Sequence, residues 1–196
     1  MRVALCVTGA SGAIYARRAL DLLASAVAAG AGHEVHWVAS SNAPLVWNSE
    51  LGEAMPESVA GLRRWDRHDF SAPFASGSNP ADAVVAMPCS MSTLSRVAHG
   101  GGDDLIARAC EVALKERQRL ILVVRETPLS LVHLRNMVAA TEAGAIILPA
   151  VPSFYAGVRD LEGAIDTVIN RVFDRAGLGG ELVPRWGGSG EGMVPA

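Results

Sequence analysis

The sequence predicts an α/β fold: a single domain in which a parallel sheet is flanked by helices, giving three layers. Two observations carry that prediction. Short apolar, β-branched runs alternate with amphipathic helical patterns along the chain. The first run also ends in Thr8-Gly9-Ala10-Ser11-Gly12 and passes at once into a helical pattern, a strand, tight turn and helix N-terminus in succession. With 196 residues and 50% hydrophobic content, one such domain has a sizeable core.

Taken in order, Val3 to Val7 is the first strand and Ala13 to Ala29 the first helix. Val35 to Ala39 is the second strand, and Ala83 to Met87 a later, buried one. Between them, Ser49 to Asn79 is irregular, with a further strand at Trp65 to His68. Helical spacing returns at Asp104 to Arg117, Leu129 to Ala143 and Leu161 to Arg175, interleaved with strands at Leu120 to Val124 and Ala145 to Leu148. No repeat and no second domain is evident. The domain is placed at 1–178, and 179–196, glycine-rich, reads as a loop and then a disordered tail.

Composition excludes several classes. The net charge is −3 and the 17 basic residues form no long run, so no nucleic-acid groove is expected. The three cysteines are too scattered for a disulfide framework or metal knot, and Cys6 and Cys110 read as small buried hydrophobes. No basic segment precedes an apolar signal core, and no apolar stretch reaches about 18 residues, so a cytoplasmic protein without a membrane span is expected. His33, His36, His68, His99 and His133 have no ligand spacing and read as surface or capping residues.

In a parallel α/β sheet, ligands sit beyond the carboxyl ends of the strands. The glycine turn there suits a phosphate, because its backbone N–H groups and the helix dipole favour an anion. Neither a dinucleotide G-x-G-x-x-G nor the further glycine of a short-chain dehydrogenase turn is present, since Ala13, Ile14 and Tyr15 follow, so a mononucleotide fits better. A plain βα corner is the alternative. Four more loops carry chemistry: Ser40-Ser41-Asn42 with Glu50 beyond it, Pro88 to Thr93, Arg125 to Pro128, and Pro149 to Tyr155. By residue type alone Ser90 and Thr93 read first as helix caps; the alternatives for Arg125 and Glu126 are a surface pair, and for Lys115 a solvated last turn.

Together these loops resemble the UbiX-type flavin prenyltransferases, within the wider family of flavin-binding cysteine decarboxylases. The matching words are VTGASGAIYARR, MPCSMSTL, IARACEVALKERQRLILVVRETPL and AGAIILPAVPSFY, with a weaker VINRVFDRAGL and then Arg185-Trp186. The resemblance implies a Rossmann-like fold and an unusual reaction. A dimethylallyl group is joined from dimethylallyl phosphate to N5 of reduced FMN, and a fourth ring is closed through C6. The product, prenylated FMN, serves a UbiD-type decarboxylase, and no metal is needed. The resemblance places Gly9, Ala10, Ser11, Ser40, Ser90, Met91, Ser92, Thr93 and Arg125 around FMN. It places Lys115, Arg125, Tyr155 and Arg171 at the prenyl phosphate. Glu126 and Glu50 become acid–base groups, Ser11 orients the flavin N5 region, and Trp186 closes the pocket. It also implies a homo-oligomer, a dodecamer, in which Tyr155 and Arg171 reach a neighbour's flavin.

Cationic groups at a departing phosphate and aromatic faces beside an allylic cation suit that chemistry. The chain departs from the family pattern at Ser41 and Ser92, where most relatives carry Lys, removing two cations near the flavin. Two other readings are a peptidyl-cysteine or phosphopantothenoylcysteine decarboxylase using FMN, with His68 as its one loosely placed histidine, and a non-catalytic flavin carrier. The first lacks a Pro-x-Met-Asn word. The second has no use for a second phosphate site.

Overall fold

The computed structural model describes residues 1–155 and 157–186. Its strands are β1 (Arg2–Val7), β2 (Glu34–Ala39), β3 (Arg63–Trp65), β4 (Ala83–Cys89), β5 (Arg119–Val124) and β6 (Ile146–Ile147). Its helices are α1 (Ala13–Ala28), α2 (Ala43–Leu51), α3 (Met91–His99), α4 (Leu105–Lys115), α5 (Leu131–Glu142) and α6 (Leu161–Ala176). The expected strands and helices are therefore present, with three local corrections. The middle strand ends at Trp65 instead of beginning there, because the Asp66 carboxylate accepts the His68 N–H at 2.8 Å and turns the chain. Pro88 and Cys89 finish β4 and do not open the loop. Ser49 to Leu51 is the last turn of α2, which Asn42 and Pro44 start and left-handed Gly52 ends.

All six strands are parallel, in the order β3-β2-β1-β4-β5-β6. The chain moves outward from β1 to β3, then returns to β4 on β1's other side. The switch point, where a crevice opens, thus lies between β1 and β4. Side chains alternate across the sheet. Leu5, Val7, Ile121 and Val123 pack under α1, α2 and α6, with Trp47 and Leu20. Ala4, Cys6, Leu120 and Leu122 pack under α3, α4 and α5, with Leu94 and Ile106. Two apolar layers thus hold the sheet rigid beneath its loops. Asp104, Ser130 and Asp160 cap α4, α5 and α6 by accepting backbone N–H bonds, each contributing about 1 kcal/mol.

His36 is not a surface or capping residue. It is 2% exposed on β2, accepts from the Trp65 indole at Nδ1 (3.0 Å) and meets Glu34 at Nε2 (3.0 Å). An indole nitrogen can only donate, so the imidazole is neutral with its proton on Nε2. His133 does cap: it accepts the Ser130 N–H at 3.3 Å in a reciprocal box. After Gly177 the chain does not drift away. Leu182 donates its N–H to Asn170 (2.9 Å), and Arg185 forks onto Asp174 (2.8 and 3.2 Å), so the segment is strapped along α6. The disorder expected further on falls on residues 187–196, outside the described residues.

Candidate active site

The β1–α1 turn passes against the start of α2. A Cβ on Gly9 would lie 2.7 Å from the Asn42 Cβ, so glycine is required there. Gly12, at φ 111°, is the N-cap of α1. Glu50, from the last turn of α2, reaches over this corner and accepts the N–H groups of Gly12 (2.9 Å) and Ala13 (2.8 Å). The anion at the N-terminus of α1 is therefore the protein's own carboxylate, and these amides are not open to a phosphate. Partial burial pushes the Glu50 pKa up. The Ser11 hydroxyl, the two amides and the Arg125 charge outweigh it and hold the carboxyl below its usual range. Ala10, in the same turn, is buried.

A cleft of about 360 Å³ opens beside this corner, lined by Gly9, Ser40–Asn42, Arg67, Ser90, Ser92, Thr93, Arg96, Asp103 and Asp104. Ser90 caps α3 by accepting the Thr93 N–H (3.2 Å), so the capping alternative and a place on the cleft wall coincide. Thr8, buried at the end of β1, ties this loop down. Its hydroxyl donates to Pro88 O (2.6 Å) and accepts the Ser90 N–H (2.9 Å). Met91 packs against the core below. Ser40 Oγ and Arg96 Nε are both buried without a partner among the described residues. A buried polar atom left unpaired is costly, and a phosphoryl or ribityl oxygen would satisfy both. The cleft fits the polar end of a mononucleotide.

Arg125 and Glu126 follow β5 at the same end of the sheet and are exposed. Glu126 accepts the Thr127 N–H at 3.0 Å, which fixes one of its oxygens. Arg125 acts electrostatically on both Glu50 and Tyr15, whose phenol is pushed up mainly by burial. The chain thus lines this cleft with Gly9, Ser40, Ser90, Ser92 and Thr93, and sets Ala10, Ser11, Glu50, Met91, Arg125 and Glu126 around the same end of the sheet.

The remaining predicted residues are elsewhere. Tyr155, Arg171 and Trp186 share a separate cleft of about 140 Å³ with Asp174 and Arg185. Tyr155 and Trp186 meet edge to face at 5.4 Å, yet they are 47% and 75% exposed, so this pair closes nothing within one chain. Arg171 is turned toward Asp174 (3.5 Å). Lys115 ends α4, just before β5 begins, beside Gly77 and ion-paired with Glu116. That is the amino end of the sheet, opposite Arg125. A single chain does not assemble the full set.

Several site residues were missed from sequence. Thr8 and Tyr15 lie within VTGASGAIYARR and were passed over beside the glycines. Arg67 was hidden in the irregular middle segment, although it follows a strand's carboxyl end, and Arg96 lay in a helix. The three thiols take no part: all are buried, and burial pushes Cys89, nearest the site, up to about 12.

This geometry, a crevice at the switch point of a parallel sheet with a hydroxyl-rich polar end, defines a mononucleotide-binding α/β protein. The comparisons sharpen it. The Flavoprotein family matches residues 1–173, and the chain belongs to that family. Within it, the chain belongs with the UbiX-type flavin prenyltransferases. It is 40% identical to the flavin prenyltransferase UbiX of Methanocaldococcus jannaschii over 188 residues, covering 95% of this chain and 99% of that one. A crystal structure of AnUbiX (PadA1) in complex with FMN and dimethylallyl pyrophosphate superposes with a TM-score of 0.86 at 39% identity, covering 95% of this chain and 97% of that one. A dodecameric FMN-dependent UbiX-like decarboxylase from Escherichia coli O157:H7 has a TM-score of 0.86 at 34% identity, covering 96% and 100%.

Proposed function

We propose that the chain is a flavin prenyltransferase that joins the dimethylallyl group of dimethylallyl phosphate to reduced FMN, for uptake by a UbiD-type decarboxylase. One observation carries this reading: a polar cleft suited to FMN coexists with a second constellation of cations and aromatics that FMN binding alone does not need. A carrier, or an enzyme acting on a cysteine substrate, has no use for the second.

Reduced FMN supplies the N5 and C6 atoms to which the prenyl carbons are joined. Gly9, Ala10, Ser11, Ser40, Ser90, Met91, Ser92, Thr93 and Arg125 hold it, with the phosphate in the Ser40–Thr93 cleft. Lys115, Arg125, Tyr155 and Arg171 hold the prenyl phosphate and offset the charge that grows on it as the C–O bond breaks, without a metal. Tyr155 and Trp186 offer ring faces to the allylic cation. Glu126 takes the proton lost on ring closure. Glu50, held ionised by two amides, is better suited to fixing Ser11 than to moving a proton.

Subunits must share the site, since Lys115 lies at the far end of the sheet from Arg125. The exposed apolar face of α5, with Leu131, Val132, Leu134 and Val138, supports a homo-oligomer, and the E. coli relative supports a dodecamer. Among the described residues no helix is long and apolar enough to cross a membrane, and a cytoplasmic location is part of the proposal.

The test is anaerobic incubation with reduced FMN and dimethylallyl phosphate in the presence of a chelator, followed by mass analysis of the extracted flavin. A mass gain of one dimethylallyl unit is expected. Unmodified flavin, or modification only with added magnesium, overturns the proposal.

A further inference from the structure

We propose that Arg67 is the cation that selects a phosphorylated flavin in the Ser40–Thr93 cleft, a role that rests on the flavin-binding reading above. The cleft is lined by two arginines and two aspartates. Arg96 is already committed: its guanidinium donates to Asp104 at 2.9 Å and to Asp103 at 3.4 Å. Asp104 in turn is 3% exposed and caps α4 through the Ala107 N–H. Arg96 is thus held by the fold: one terminal nitrogen serves two carboxylates that offset its charge, and its buried Nε is left as a donor without surplus charge. Arg67 is half-buried and, among the described residues, has no ion-pair partner within 4 Å. It is the uncommitted positive charge on the wall.

The balance decides what the cleft can bind. Without Arg67, a phosphate dianion would face one guanidinium and two carboxylates, an arrangement that repels it. With Arg67, a planar donor fork joins the Ser40, Ser90 and Thr93 hydroxyls in the lining and is available for the phosphate oxygens. The position of Arg67 is also fixed from behind. Its carbonyl accepts the Leu105 N–H at 2.7 Å, which ties the segment after β3 to the first residue of α4. That bond is made by backbone, so it survives a side-chain change. Ser41 and Ser92 in the same lining contribute no charge, so the charge that favours a phosphate falls to this residue.

The experiment is a fluorescence titration of the full-length apoprotein with FMN and with riboflavin, which lacks the phosphate. The parent, Arg67→Ala, Arg67→Lys and the double variant Arg67→Ala/Ser92→Lys are compared at low and high salt. Arg67→Ala is expected to weaken FMN binding by about 10-fold or more, the range for a lost charge-assisted hydrogen bond, while riboflavin affinity stays within about twofold. The salt dependence of FMN binding should fall with it. Arg67→Lys should keep part of the preference, and Ser92→Lys should restore part of it by returning a cation to the same cleft. Unchanged FMN affinity in Arg67→Ala overturns the proposal, and so does an equal loss for FMN and riboflavin, which marks damage to the loop. A parent that binds neither flavin overturns the flavin reading itself.

Discussion

Two carboxylates proposed for the site, Glu50 in the last turn of α2 and Glu126 just past β5, differ in their surroundings. Glu50 is held ionised by the Gly12 and Ala13 amides, whereas one oxygen of Glu126 accepts the Thr127 N–H and the other has no hydrogen-bond partner among the described residues. Glu126→Gln should therefore bind FMN and dimethylallyl phosphate normally but turn over roughly 10²-fold more slowly, the range for a lost general base. Single-turnover kinetics with separate binding titrations check this, and normal turnover removes Glu126 from the proton transfer. Glu50→Gln should act mainly on the fold. Its carboxyl is held below the ordinary 4.5, so the stability it contributes is present above that pH and is lost as pH falls through the depressed value. At neutral pH the amide should lower stability by about 1 kcal/mol, the worth of a cap carboxylate. Denaturant unfolding at pH 7 and pH 4 would show the difference shrinking in acid. A pH-independent difference would mean the carboxylate charge is not what matters.

At the scale of the element, β2 and β3 are pinned by a buried polar contact that the sequence does not announce. His36 is held neutral between Trp65 and Glu34, and burial, more than any charge, lowers its pKa from the ordinary 6.5. Its stabilising contribution is thus full above about pH 6.5 and is lost as pH falls through the lower folded value. The parent should lose more thermal stability between pH 7.5 and pH 5 than His36→Gln does. Parallel losses in the two proteins would clear His36 of the effect. The alternation of apolar runs was enough to read β1, β4 and β5, because each is almost wholly buried and close to continuously hydrophobic, and the short apolar runs of β2 and β6 stand out between helical patterns. The edge strand β3 carries two arginines and one tryptophan, so period and composition misplace it by two residues. Helix α2 escaped because a polar Ser-Ser-Asn start and a short, weakly amphipathic body resemble a loop. Glycine turns and strand ends were legible in the site. Arg67 and His36 were not, since their roles depend on which distant groups face them.

At the scale of the molecule, the two ends of the sheet carry residues that the proposed reaction needs at one phosphate. Arg125 follows the carboxyl end of β5, and Lys115 sits where the chain enters that strand's amino end. No movement of a loop carries a side chain across a six-residue strand packed on both faces. If Lys115 serves that phosphate, as proposed, the lysine comes from another copy and each site draws on at least two chains. This predicts complementation. Arg125→Ala and Lys115→Ala should each be nearly inactive as pure oligomers. Co-assembled from equal amounts of the two chains, roughly a quarter of the sites should receive an intact Arg125 from one subunit and an intact Lys115 from another, provided subunits mix at random. Activity should rise toward that fraction after co-refolding and stay low when preformed oligomers are merely combined. If both residues served one site from the same chain, every site would lack one of them and mixing would restore nothing.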